Sequence, residues 1–181
     1  MAFLTTDYSD LQDNTFGPLP EGDYELVIKQ GDLRASKAGR EYMNFQMVVR
    51  NDLDKVPELE NTNAKYHNRV LFASIFTDKE TNKYNTDDLM YYLKAAQVPE
   101  GTQFDDIQQF MDVLVGKPIR ARVTQSENTY QGETTIQNNI WPNRVSVSKY
   151  PEVNHQFKDK DKTDPFSNDQ QTEKQLDNLP F

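Results

Sequence analysis

Cysteine is absent from the 181 residues, which excludes a disulfide framework, a thiolate metal site and a cysteine nucleophile. The two histidines, His67 and His155, are too few for a histidine-rich metal centre. No apolar run approaches bilayer-spanning length, and residues 1–7 lack the charged and apolar regions of a secretory signal. These absences predict a soluble, cytoplasmic chain. The recurring catalytic signatures are missing too: no phosphate-binding glycine loop, dinucleotide turn, serine elbow or His-Glu-x-x-His helix occurs. Asp87/Asp88 and Asp105/Asp106 are adjacent acids of a kind that can ligate Mg²⁺. They stand where helices are expected to start, so they read as capping and solubilising charge. The chain is therefore expected to be no enzyme and to need neither metal nor cofactor.

Acid is abundant, with a net charge of −9. Taken whole, that opposes nucleic-acid binding, because phosphates are held by Lys and Arg. Its distribution changes the reading. Residues 22–77 and 113–151 hold ten acids and thirteen bases, whereas residues 1–21 hold four acids and no base. Residues 78–112 hold eight acids and three bases, and residues 152–181 seven acids and four bases. A locally positive face on an acidic protein is compatible with this segregation.

Residues 1–21, broken by Gly17, Pro18 and Pro20, read as an irregular arm. Tyr24, Leu26 and Ile28 then share one face of a strand that runs towards Arg34. A turn at residues 36–40 leads to the clearest strand, where Glu41, Met43, Phe45, Met47 and Val49 alternate with Arg40, Tyr42, Asn44, Gln46, Val48 and Arg50, so one face is expected in the core and the other, mostly polar, in water. Residues 51–66 read as a loop, and residues 68–76 as a third strand, apolar on both faces and so expected to be central or covered. Helical spacing follows: Leu89, Tyr92, Leu93 and Ala96 after a Thr86 hydroxyl cap, then Ile107, Phe110, Met111 and Leu114 in a helix from about Phe104. Ile119, Ala121 and Val123 alternate with Arg120, Arg122 and Thr124, a turn falls near residues 128–132, and a last strand runs from Glu133 to Val147 with a kink at Pro142. From Pro151 onward there are few apolar groups, and disorder is expected.

Three strands, helices, then two strands is the order of a five-stranded OB-type β-barrel, a mainly β fold. The expected division is an arm at 1–21, the barrel at 22–150 and an acidic tail at 151–181. Single strands are bound by a positive groove for the backbone and aromatic faces for the bases. OB barrels build that groove across the second and third strands and two hairpin loops. Those places hold Arg34, Lys37, Arg40, Tyr42 and Asn44; Lys65, Tyr66 and Arg69; and Arg120, Arg122, Tyr130 and Trp141. Tyr42, between polar neighbours in alternation, reads as exposed. Phe72 and Phe76 read first as core, with Phe72 retained as a DNA-binding candidate, and Trp141 fits either role. His67 reads as structural or phosphate-adjacent.

The final residues are Leu176-Asp177-Asn178-Leu179-Pro180-Phe181. An apolar tip on a polar, acidic segment suits capture by a partner pocket, with Asp177, Leu179, Pro180 and Phe181 as the contact set. This ending resembles the tails of bacterial single-stranded DNA-binding proteins, although only Asp177 is acidic among the last six residues. Asp164-Pro165-Phe166 is an internal echo. Gly22-x-Tyr24, Ser36-Lys37-x-Gly39 and Leu114-Val115-Gly116-Lys117-Pro118, across residues 20–148, are similar to a phage-encoded family of that role. The resemblance implies an OB fold, sequence-independent binding of single-stranded DNA, and a site in an infected bacterial host. It also implies tail-mediated delivery to a helicase, primase or recombinase. The oligomeric state stays open, homo-oligomer included. Three further expectations stand beside these. The tail competes with DNA for the groove; the chain is instead an acidic interaction module or DNA mimic; or the carboxylate pairs serve a nuclease.

Overall fold

The computed structural model describes residues 17–157. They form a mainly β domain with five strands, β1 (Gly22–Ala35), β2 (Glu41–Val49), β3 (Val70–Phe76), β4 (Pro118–Tyr130) and β5 (Glu133–Val147). Two helices, α1 (Thr86–Ala95) and α2 (Ile107–Leu114), lie between β3 and β4. All neighbouring strands are antiparallel, in the order β3-β2-β1-β4-β5. β3 and β5 approach each other across a cleft, but no ladder among the described residues joins them.

Period-2 alternation builds the core. Tyr24, Leu26 and Ile28 from β1, Met43, Phe45, Met47 and Val49 from β2, and Ile119, Ala121 and Val123 from β4 are all buried on one side. Met111 and Leu114 of α2 and Tyr92 of α1 add to the same cluster, with Tyr92 stacked on Phe45 at 5.5 Å. Burial drives the Tyr92 hydroxyl up, with Asp88 adding to the effect. β1 pairs with β4 through residues 22–27 and with β2 through residues 26–35, and a register shift between Ile28 and Gln30 bends it between the two. The bend carries Gly31 over Phe45, where a Cβ would meet that ring at 3.0 Å.

The kink expected at Pro142 is a wide bulge. Ala121 pairs with Val145 and Val123 with Ile140, so Trp141, Pro142, Asn143 and Arg144 all stand opposite Arg122. Proline has no N–H to lose from a ladder and is at home there. The β4–β5 turn is tighter than expected: Gln131 and Gly132, with φ of 50° and 82°, form a two-residue loop of the primed kind that matches strand twist. β4 and β5 therefore stay paired out to Tyr130 and Glu133, as an exposed ribbon.

Several expectations fail for local reasons. β3 is an edge strand in the hydrogen-bonding order, and its outer face is open, with Val70, Phe72 and Phe76 exposed. The cap of α1 is Asn85, whose side chain accepts from the Asp87 N–H at 2.9 Å, so the helix starts at Thr86 without using its hydroxyl. α2 starts at Ile107, three residues later than expected, because Asp106 accepts from the Gln109 N–H at 2.8 Å. Residues 51–66 are not plain loop. Pro57–Leu59 and Glu60–Ala64 form short helical turns that place Asn63, fully buried, across β1 and β2. Asn63 accepts from the Glu25 N–H and donates to the carbonyls of Glu25 and Arg50, so the backbone of β1 just ahead of its pairing with β2 is satisfied by a side chain.

Both ends of the described chain are fastened. Leu19, assigned to the arm, is fully buried, and its backbone exchanges hydrogen bonds with Asn138 and accepts one from Gln125. Residues 151–157, assigned to a disordered tail, run along a buried arginine. Arg50 has no exposure; it pairs with Asp52 at 2.6 Å and donates to the carbonyls of Tyr150 and Glu152, each at 2.6 Å. His155 Nδ1 accepts from the Asn51 N–H, and Asn51 also binds Gln156 through both its amide atoms. Burial and the charges of Arg50 and Lys29 hold His155 below its ordinary value against the pull of Asp52, so it is neutral and able to accept.

Candidate nucleic-acid interface

The outer faces of β2 and β3 meet at matched register positions. Tyr42 lies opposite Phe76, Asn44 opposite Ser74, and Gln46 opposite Phe72. Tyr42 is consequently not an isolated exposed ring: it stacks on Phe76 with centroids 4.5 Å apart and planes 23° apart. The Arg40 guanidinium stands 5.0 Å from the same Phe76 centroid and donates from Nε to the Thr77 carbonyl, which fixes its position. Asn44, expected to face a ligand, is buried, and its side-chain oxygen accepts from Ser74 Oγ. It holds β3 in place and is removed from the candidate contacts.

Phe72 and Phe76 are not core. They are 55% and 41% exposed, and Trp141, on the bulge of β5, is 59% exposed. Phe72, Ser74, Phe76, Asn139 and Trp141 line a cleft of about 350 Å³ between the two strand edges. Exposing several large rings in one concavity costs a soluble protein free energy unless a ligand covers them. Their flat faces suit other flat rings, and Arg40 supplies one fixed positive charge beside them. Asp78 moderates that charge: its carboxyl is held below the usual range by the Thr81 and Glu80 N–H groups, with a smaller contribution from Arg40.

The two hairpin tips also meet. Lys37 Nζ, from the β1–β2 turn, lies 5.9 Å from the Tyr130 ring at the end of the β4–β5 ribbon. Arg34 is exposed nearby in sequence and pairs loosely with Asp32 at 3.4 Å. Other expected contacts fall elsewhere. Arg120 and Arg122 reach Asp23 at 3.1 and 3.6 Å, and Arg120 lines a separate hollow with Glu25 and Glu58, so this pair is partly neutralised. Tyr66 packs edge-on against Tyr24, with Lys65 over its ring, and Arg69 donates to the Gly17 carbonyl at 2.6 Å. Burial, with Tyr66 adding, pushes the Tyr24 hydroxyl up to about 12. These three residues fasten the start of β1 and are not part of the cleft. His67 lies 3.0 Å from Asp54, outside the cleft. Asp177, Leu179, Pro180 and Phe181 lie outside the described residues. Among the described residues, no cluster of His, Asp and Glu could hold a metal ion, and no helix is long and apolar enough to cross a membrane.

A family model described as a protein of unknown function (DUF669) matches residues 4–165. The chain belongs to that family. No curated protein matches this DUF669 chain. Among solved structures, yeast RPA bound to ssDNA is similar at a TM-score of 0.32 and 9% identity, over 72% of this chain and 79% of that one.

Two functional candidates escaped the sequence reading. Phe76 read as core because its partner Tyr42 is known only from the β2–β3 register. Asn139 gave no signal, since it joins the cleft only through the approach of β5 to β3.

Proposed function

We propose that this DUF669 protein is an OB-type binder of single-stranded DNA that holds bases on Phe72, Phe76 and Trp141 and phosphates on Arg40, Lys37 and Arg34. The observation that carries the reading is the cleft itself: exposed aromatic rings from two strand edges, with a fixed guanidinium beside one of them. The strand order supports the barrel assignment, because β3 and β5 end up as facing edges and the helices fall between β3 and β4. Stacked bases contribute roughly 1–3 kcal/mol each and ask for no particular sequence. Duplex DNA hides its base faces, so single strands are favoured.

Within this reading the protein coats DNA for replication or recombination in a phage-infected cell, performs no chemistry, and delivers the strand through its acidic C-terminal segment to a helicase, primase or recombinase. The cytoplasm is the compartment this implies. Trp141 is the chain's only tryptophan, which gives a direct test. Oligo-dT added to the protein should quench its emission saturably. A saturating titration that leaves Trp141 emission unchanged, while binding is measured by other means, would place the DNA away from this cleft.

A further inference from the structure

The helical layer carries a second concavity that shares no lining residue with the aromatic cleft. Met90, Leu93 and Lys94 of α1, with Val98, Glu100 and Phe104 of the α1–α2 link, line a hollow of about 570 Å³. Met90, Leu93 and Phe104 also line an adjoining apolar hollow of about 240 Å³ that reaches Ile107 and Phe110. The two form one trough along α1. Met90 is 53% exposed, although nothing in α1 requires an apolar residue on a solvent face.

We propose that this trough docks a basic amphipathic segment of a protein partner. The apolar floor sets the need for apolar anchors at helical spacing, as in other helix-in-groove contacts. The rim sets the charge. Glu100 and Asp106 line the trough, Asp105 is exposed beside Asp106, and Asp87 and Asp88 stand in the first turn of α1 ahead of Met90. Lys94 is the only base in the lining. Residues 78–112 as a whole carry eight acids against three bases. Such a rim repels phosphates, so this is not a second DNA face. It equally disfavours residues 152–181 of the chain itself, with seven acids and four bases. A second copy docked trough to trough would set like charges against each other. A segment with apolar residues at i, i+3, i+4 and i+7 and Lys or Arg between them satisfies both floor and rim.

The test uses the full chain and three labelled synthetic peptides: an amphipathic Leu/Lys helix, the same pattern with Glu for Lys, and a scrambled Leu/Lys sequence. Fluorescence anisotropy should show binding of the first and little of the others. Met90→Lys, at an exposed position, should weaken the Leu/Lys peptide by about tenfold or more. Glu100→Lys with Asp105→Lys should reverse the order of the Leu/Lys and Leu/Glu peptides. Circular dichroism reports whether each variant folds, and the charge-reversal pair decides the matter alone if Met90→Lys does not. Equal binding of the scrambled peptide, or no reversal in the charge-swapped protein, would overturn the proposal.

Discussion

Replacing Arg50 with methionine removes the fastening of residues 148–157 while keeping most of the side-chain volume. Arg50 is fully buried, and its guanidinium serves Asp52, Ser148 and the carbonyls of Tyr150 and Glu152. The variant strands the Asp52 carboxylate, whose side chain is only 7% exposed. Breaking one partner out of a buried ion pair costs about 3–5 kcal/mol. The two carbonyls raise the cost only if they stay buried, at roughly 1–3 kcal/mol each. Because they belong to an end segment, that segment can peel into water and satisfy them there. The expected result is therefore a loss of about 3–5 kcal/mol in urea unfolding, together with loss of amide protection at Asn154 and Gln156, whose N–H groups bind Asp52 and Asn51. Adding Asp52→Asn should recover part of the loss, since it removes the stranded charge. A loss below about 1 kcal/mol with Asn154 and Gln156 still protected would refute the reasoning, because a buried pair cannot be broken so cheaply while the segment stays in place.

Three other perturbations have expected outcomes. Phe72→Ala and Trp141→Ala act on exposed rings, so each should leave the melting temperature nearly unchanged but weaken oligo-dT binding by roughly 5- to 150-fold, as read by anisotropy. Gly31→Ala would press a methyl against the Phe45 ring at 3.0 Å and Met111 Cβ at 3.3 Å, and should destabilise the domain by about 1–3 kcal/mol in urea titration without affecting DNA affinity. Lowering the pH should loosen the 150–157 segment in two stages. His155 has a folded value below its ordinary 6.5, so its contribution is complete above that value and falls as the pH drops below it. Asp52 is also lowered: burial opposes the shift, but hydrogen bonds from Arg50 and Asn154 outweigh it, so its share goes only in stronger acid. Amide exchange of Asn51 and Gln156 between neutral and mildly acidic pH reads the first stage, and His155→Phe should remove that pH dependence.

The strands were legible because one side of each is core. Met43, Phe45, Met47 and Val49 announce β2 by alternation alone, and Ile119, Ala121 and Val123 do the same for β4. β3 misled, since Val70, Phe72 and Phe76 make its outer face as apolar as its inner one. Alternation cannot separate a covered strand from an edge strand that exposes aromatics for another purpose. The aromatic half of the site was visible as residue types, but its grouping depends on register: Tyr42 opposite Phe76 follows from hydrogen-bond pairing that no local pattern encodes. The basic half fared worse. Arg120 and Arg122 look like a ligand-facing pair until Asp23, far earlier in the chain, is seen to hold them. Arg50 read as part of the water-facing side of β2 but is fully buried, and His155 gave no signal, because a polar side chain fastening two distant segments has no periodicity.

The most direct measurement is an anisotropy titration of labelled oligo-dT, with duplex of equal length as control, at two salt concentrations. The account predicts binding to the single strand that weakens with salt, log K falling by roughly 0.7 per phosphate contacted for each tenfold rise in salt, and little binding to duplex. Equal affinity for duplex and single strand, or no binding to either, would contradict it.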